Sequence, residues 1–284
     1  MLRQITTYLS FVRFSHSVFA LPFALTGAML ATRHQPVTGV TVAWIVAAMV
    51  TARSAAMGFN RLVDARFDAT NPRTAMRELP RGAMQTREAI GFVVVMSAAF
   101  VAVSFQISWL CGALSPVALA IVFWYSLAKR FTAFTQLYLG LAMAVAPVGG
   151  WLAAGGRGGW EPWVLGLAIG LWVGGFDVLY ACQDLAHDRA EGLRSIPIRF
   201  GVVRSLLISR LMHVATIACM LALAPLADLG PVYLAGVAVV ALLLIYEQSL
   251  VSATDLSQVK RAFDLNGYVG IIYFFVTAVD LYVG

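Results

Sequence analysis

Charged residues are scarce in this sequence. They make up 12 % of its 284 residues, whereas 60 % are hydrophobic and the mean hydropathy is +0.81. A water-soluble domain usually carries about 25 % charged residues, because its surface must face water. This composition therefore excludes an ordinary soluble domain, and no polar block is long enough to form a separate one. The sequence predicts a single polytopic membrane domain over residues 1–284.

Cysteine and histidine are also rare, with three and four residues respectively. Cys111, Cys182 and Cys219 lie in separate apolar stretches without the paired spacing of a metal or disulfide site, so we interpret them as small buried residues. The net charge of +6 suits anionic lipid headgroups and phosphorylated substrates. The basic residues form no stripe apart from the apolar segments, so nucleic acid is not a predicted partner.

The apolar residues fall into segments long enough to cross a bilayer, for which about 20 residues are needed. The first segment lacks a small-residue cleavage site after it, and we expect it to be retained as a helix. About nine transmembrane helices are predicted. Their ranges are 15–33, 38–59, 89–106, 109–127, 135–154, 162–182, 205–227, 231–252 and 266–283.

The basic residues predict the orientation in the membrane. With the N-terminus in the cytoplasm, sixteen Arg and Lys residues lie in inside loops and only Arg33 and Arg157 lie outside. We therefore expect a multi-pass protein of a bacterial-type inner (cytoplasmic) membrane, with its C-terminus outside. Two cytoplasmic loops, at about 60–88 and 183–204, are longer and more charged than the rest. We expect the functional site to lie at these two loops.

The helix that leads into the first of these loops carries polar residues at every fourth position. Asn60, Asp64 and Asp68 share one face of a helix at this spacing. Arg53, seven residues before Asn60, falls on the same stripe. Four aligned polar residues at the end of an apolar helix indicate a site that faces a common ligand.

A second acidic motif precedes the other long loop, where Asp177, Tyr180, Asp184 and Asp188 again share a helix face. Carboxylates near the hydrocarbon are costly, at about 2.5–3.5 kcal/mol each at a helix centre and less at its end. The alternative is a pair of solvated helix ends balanced by arginines. Two such motifs on one membrane side favour a shared cation instead.

The oxygen ligands of both motifs, without a supporting histidine or cysteine cluster, favour Mg²⁺ or Mn²⁺ over zinc. Mg²⁺ is usually held by one or two carboxylates while substrate phosphates supply further oxygens. The two motifs with the arginines around them therefore predict a diphosphate clamp. His187 lies within the second motif, and we interpret it as a solvated residue at a helix end.

These motifs resemble those of the UbiA-type intramembrane aromatic prenyltransferase superfamily. The pattern is Asn60-x-x-x-Asp64-x-x-x-Asp68 followed by Asp184-x-x-x-Asp188. Further similarity lies at Arg13 and Pro22 and in the runs 124–130 and 192–201. The resemblance covers most of the chain and implies an all-α fold around a central cavity, Mg²⁺ as cofactor, a polyprenyl diphosphate donor and an aromatic carboxylate acceptor.

The resemblance also implies roles for individual residues. The metal and the diphosphate would be held by Asn60, Asp64, Asp68, Asp184 and Asp188. Lys129 would contact the diphosphate, with Arg13, Arg73 and Arg130 as further candidates. Tyr125 would line the place where the allylic carbon reacts, and Arg53 and Tyr180 complete the predicted substrate-binding set.

The acceptor is less well defined by the sequence. Hydroxybenzoate enzymes of this family typically have Asp directly after the motif Asn, and this chain has Arg61. The stretch from Ser195 to Gly201 is closer to members that act on naphthoates in menaquinone synthesis. We therefore expect a 4-hydroxybenzoate or a dihydroxynaphthoate, and a tetrapyrrole or another acceptor stays an alternative. A transporter or flippase of an anionic lipid is the alternative from another class.

Overall fold

The computed structural model describes residues 7–8, 10–12, 20–33 and 36–283, and within these residues it contains helices and no strand. The main helices are α1 (Leu21–Leu30), α2 (Gly39–Thr70), α3 (Thr86–Ile107), α4 (Trp109–Ala128), α5 (Thr135–Ala153), α6 (Glu161–Ala181), α7 (Leu185–Ala190), α8 (Ile196–Leu226), α9 (Pro231–Ser249) and α10 (Val259–Val283).

The prediction of an all-helical membrane fold is confirmed. Eight helical spans among the described residues are long and apolar enough to cross a bilayer, with α6 and α7 counted as one span. The first predicted segment corresponds to α1, whose described helix has only ten residues. Each of the nine predicted apolar segments therefore contains a helix.

Several helices extend beyond the apolar segments that predicted them. Helix α2 has 32 residues and continues to Thr70, so the first acidic motif is helical throughout. Helix α8 begins at Ile196, where the Ser195 side chain accepts a hydrogen bond from the Ile198 amide and a proline occupies the first turn. Gly201, with φ of 76°, then kinks it. Hydropathy detects only the apolar part of such helices, which explains the difference.

Small residues allow the backbones of α1, α5 and α6 to touch. A Cβ atom at Gly27 would collide with the carbonyl oxygen of Pro147, and one at Gly150 would collide with that of Ala24. A Cβ at Gly140 would likewise meet the carbonyl oxygen of Gly170. Membrane helices have no hydrophobic drive to associate, so such close packing is a principal source of their cohesion.

Helix α6, which leads into the second acidic motif, is fastened to its neighbours by buried polar groups. Trp172 Nε1 donates to Asn266 Oδ1 of α10 at 2.7 Å. Ser209 Oγ of α8 donates to the carbonyl oxygen of Gly175 at 2.7 Å. These bonds fix the depth of α6 against α8 and α10, and hence the position of the motif at its end.

Candidate active site

A polar pocket of about 240 Å³ lies where α2, α4 and α6 end, beneath the loops that follow α2 and α7. Both acidic motifs line it. The predicted site residues in its wall are Asn60, Asp64, Asp68, Arg73, Tyr125, Lys129, Tyr180, Asp184 and Asp188. The structure therefore brings residues from three separate parts of the chain to one place.

Asp64 is the most densely bonded carboxylate of the first motif. Lys129 Nζ, at the end of α4, donates to Asp64 Oδ2 at 2.7 Å, and Arg130 Nη2 lies 3.3 Å from Oδ1. Asn60 Nδ2 lies 3.4 Å from Asp64 Oδ2 and 3.4 Å from Ser126 Oγ. Arg130 does not line the pocket and acts on it through Asp64. The side chain of Asp64 is buried, so two cations offset the cost of its charge.

Asp68, one turn further on, is held by a residue that the sequence pattern did not single out. Arg77 Nη1 donates to both carboxylate oxygens of Asp68 at 2.7 Å. Arg77 lies in the loop between α2 and α3 and lines the pocket. The concentration of arginines in this loop indicated cations near the motif but did not distinguish Arg77 from its neighbours.

A residue of the same loop, Arg73, forms hydrogen bonds with the second motif. Arg73 donates to Asp184 from Nε at 3.3 Å and from Nη2 at 2.7 Å, and its Nη1 donates to Tyr180 OH at 3.3 Å. Partial burial disfavours the charged guanidinium, but the Asp184 carboxylate outweighs this, and the pKa of Arg73 is held above its usual value. His187 also lines the pocket, although the sequence suggested only a solvated helix end.

A second, apolar cavity of about 710 Å³ lies deeper in the bundle and is lined by residues of all six helices from α1 to α6. Tyr125 lines both cavities and marks their junction. Asp177 also lines the polar pocket and lies close enough to Tyr125 to act on it electrostatically. Asp177 belongs to the second motif, but the sequence did not assign it a role in the site.

Arg53 lines the apolar cavity and not the polar pocket. Seven residues before Asn60, it lies about 10 Å deeper along α2. Its Nε is buried and has no hydrogen-bond partner among the described residues. Arg53 therefore shares the apolar cavity with Tyr125 and lies away from the predicted site residues that line only the polar pocket. Arg13, the remaining one, lies outside the described residues.

The carboxylates suit a hard divalent cation that shares its ligands with a substrate. In the described part of the chain, no three His, Cys, Asp or Glu side chains lie close enough together to hold a metal ion by themselves. Each motif can contribute one or two oxygens, which is the number that Mg²⁺ usually takes from protein when phosphates complete its shell. The residues present fit a metal–diphosphate complex better than a metal ion alone.

Comparison with solved structures shows the same fold elsewhere. A UbiA homolog from Aeropyrum pernix matches with a TM-score of 0.86 and 35 % identity, covering 94 % of this chain and 98 % of that chain. A UbiA homolog from Archaeoglobus fulgidus, solved with GPP and Mg²⁺ bound, matches with a TM-score of 0.67 and 18 % identity, covering 96 % and 100 %. The latter likeness concerns the fold alone.

Proteins of similar sequence point to the same family. A 4-hydroxybenzoate octaprenyltransferase of Xanthomonas euvesicatoria is 37 % identical over 229 residues, which are 80 % of this chain and 75 % of that protein. One from Vibrio campbellii is 30 % identical over 244 residues, 86 % and 85 % of the two chains. The model of the UbiA prenyltransferase family matches residues 20–277. The chain belongs to the UbiA prenyltransferase family and is a prenyltransferase of the membrane.

Proposed function

We propose that this enzyme transfers a polyprenyl group from an allylic polyprenyl diphosphate to an aromatic carboxylate, with 4-hydroxybenzoate as the favoured acceptor. One observation carries the proposal. A polar pocket with two acidic motifs and several cations meets an apolar cavity at Tyr125. This arrangement suits a substrate with a diphosphate at one end and a hydrocarbon tail at the other.

The diphosphate occupies the polar pocket in this proposal. Lys129, Arg73 and Arg77 surround the pocket and would neutralise the charge that develops on the leaving group. Mg²⁺, or Mn²⁺ in its place, would be held by the motif carboxylates and Asn60. When bound, it neutralises the diphosphate and makes it a better leaving group. The neighbour solved with GPP and Mg²⁺ bound supports the pairing of a prenyl diphosphate with Mg²⁺.

The reacting carbon lies at the junction of the cavities. The bond between C1 of the prenyl chain and the diphosphate oxygen breaks, and the electron pair leaves with the pyrophosphate. The Tyr125 ring stabilises the allylic cation through its electron-rich face. A ring carbon ortho to the phenolic hydroxyl forms the new bond and loses its proton, for which the Asp177 carboxylate is the nearby base. The apolar cavity keeps water from the cation.

Arg53 supports an acceptor that carries a carboxylate. Its guanidinium projects into a largely apolar space beside Tyr125, with a buried Nε that lacks a partner. An aromatic acid bound there would supply the missing acceptor and gain a charge-assisted hydrogen bond. A dihydroxynaphthoate carries the same carboxylate, so Arg53 suits both acceptors. The names of the Xanthomonas and Vibrio relatives favour the hydroxybenzoate.

A competition experiment tests the proposal. Membranes containing the enzyme are given Mg²⁺, octaprenyl diphosphate and equal amounts of 4-hydroxybenzoate and dihydroxynaphthoate, and the products are identified by mass spectrometry. We expect the prenylated hydroxybenzoate to dominate. A dominant naphthoate product would reassign the acceptor. Absence of both products, with no pyrophosphate released, would refute the proposed reaction.

A further inference from the structure

The apolar cavity is shorter than a long prenyl tail. Along α4 its wall extends from Tyr125 to Cys111, fourteen residues apart, which corresponds to about 21 Å. An extended isoprene unit contributes four chain bonds of about 1.5 Å, or roughly 5 Å after bond angles are considered. About four units therefore fit in line, so the remainder of a longer tail must leave the cavity sideways.

Two adjacent glycines of α5, Gly149 and Gly150, line this cavity, and the surroundings require a glycine at only one of them. Gly150 is required by packing, because a Cβ there would collide with the carbonyl oxygen of Ala24 in α1. At Gly149 a Cβ would meet no heavy atom of the described residues within 4 Å beyond its chain neighbours and the adjacent backbone of its own helix. Gly149 is also exposed, although it forms part of the cavity wall. Packing therefore does not explain the absence of a side chain at this position.

The register between α5 and α6 shows what faces this position. Gly140 lies against Gly170, and Gly166 lies against Val148, so residue numbers fall along α6 as they rise along α5. Gly149 is therefore level with the first turn of α6, where Trp163 lines the same cavity and is 60 % exposed. Gly149 and Trp163 are thus two exposed residues at one level of the cavity wall, and Gly149 has no side chain that could close the wall there.

We propose that Gly149 determines which donor tail lengths the enzyme accepts, and this inference rests on the proposed prenyl transfer. Gly149 lies twelve residues along α5 from Leu137, or about 18 Å from the end of the cavity near Tyr125. Without a side chain, it leaves a passage beside Trp163 to the surrounding lipid. Isoprene units beyond about the third or fourth pass through this opening, whereas shorter tails never reach it.

The test replaces Gly149 by Phe and compares two donors, geranyl diphosphate with two isoprene units and octaprenyl diphosphate with eight. We expect kcat/KM for the octaprenyl donor to fall by at least about tenfold, which is the scale of steric discrimination in apolar pockets. The value for the geranyl donor should stay within about twofold of wild type, since that tail ends before Gly149. Activity with geranyl diphosphate also shows that the variant is folded.

Gly91→Phe is the matched control. Gly91 is a helical glycine of α3, and it lines neither cavity. Beyond its chain neighbours and the adjacent backbone of its own helix, no described heavy atom lies within 4 Å of a Cβ added there. This variant should keep wild-type rates with both donors. Adding Trp163→Ala to Gly149→Phe should restore much of the octaprenyl rate, because it reopens the passage from the other side.

The outcomes separate the inference from the proposed function. If the wild-type enzyme transfers both tails and Gly149→Phe lowers kcat/KM equally for both donors, or for neither, the role of Gly149 is overturned. The proposed reaction then still stands. A wild-type enzyme that transfers neither tail would refute the proposed reaction, and the inference with it. A long-tail defect that Trp163→Ala does not relieve would also contradict the passage.

Discussion

The guanidinium of Arg73 is paired with the carboxylate of Asp184, 111 residues further along the chain, through two hydrogen bonds of 3.3 and 2.7 Å. Arg73 belongs to the loop after the first motif, and Asp184 belongs to the second motif. The pair therefore joins the two halves of the polar pocket directly. Both motifs lie at one end of the bundle, as a shared diphosphate requires.

Loss of a single motif carboxylate should abolish turnover. Asp64→Asn and Asp184→Asn keep the side-chain shape but remove a charge that the metal–diphosphate complex needs. We expect less than about a tenth of wild-type activity at saturating Mg²⁺, with an unchanged gel-filtration profile in detergent. Asp255→Asn, in an exposed loop before α10, is the control and should remain fully active. Substantial activity in either motif variant would contradict a direct metal role.

Removal of divalent cations should stop the reaction. The pocket offers carboxylate and amide oxygens, which are hard ligands that suit Mg²⁺ and Mn²⁺. EDTA is expected to abolish product formation, and either Mg²⁺ or Mn²⁺ in excess should restore it. A zinc-selective chelator should have no effect. Full turnover in metal-free buffer would be incompatible with the clamp.

Arg77 should matter more than Arg81 of the same loop because it holds Asp68 through both carboxylate oxygens. For Arg77→Gln we expect kcat/KM for the prenyl donor to fall by at least about tenfold. The Mg²⁺ concentration for half-maximal rate should rise as well, since Asp68 loses its orientation. Arg81→Gln, at an exposed position of the same loop, controls for loss of charge and should behave like wild type. Similar effects of the two changes would argue against a specific role for Arg77.

Arg53 should affect the acceptor and not the donor. The Arg53→Gln variant loses a charged partner for the acceptor carboxylate, a bond worth about 1.5–3 kcal/mol. We therefore expect KM for 4-hydroxybenzoate to rise by roughly tenfold or more, while KM for the diphosphate stays unchanged. Arg157→Gln, in the exposed loop before α6, is the matched control. A parallel rise in both constants would place Arg53 in the donor site instead.

The membrane orientation can be tested by cysteine labelling in a variant that lacks the native cysteines. Met76, in the loop after α2, and Arg189, in α7, are exposed positions near the polar pocket and are each replaced by cysteine. We expect both to react with an impermeant reagent only after intact cells are permeabilised, because basic residues favour the cytoplasm. A cysteine at Arg157 should react beforehand. Labels at 76 and 189 from opposite sides would contradict a shared site.

The sequence predicted the helices and the two motifs because both depend on local periodicity. Apolar runs of about 20 residues mark spans, and a step of four residues places Asn60, Asp64 and Asp68 on one face. The cation that meets each carboxylate depends on loop conformation and on helices distant in sequence. The pairing of Arg77 with Asp68 was therefore not predictable, nor was the choice of Arg73 for Asp184.

Arg53 shows a second limit of periodicity. A spacing of seven residues predicts the face of a helix on which a side chain lies, and Arg53 does share the stripe of Asn60. The same spacing also moves it two turns deeper, into a different cavity. At that depth, α1, α4 and α5 surround the side chain. The local pattern of α2 does not predict which helices these are.

The contact of Gly27 with Pro147 and of Ala24 with Gly150 also governs the order in which the protein can be assembled. Gly27 and Pro147 are 120 residues apart in the sequence. At about 5–20 residues per second, α1 is made roughly 6–24 s before its partner leaves the ribosome. During that interval, the first span has no helix against which its backbone can close. Helix α1 therefore cannot reach its final packing until about half of the chain has been made.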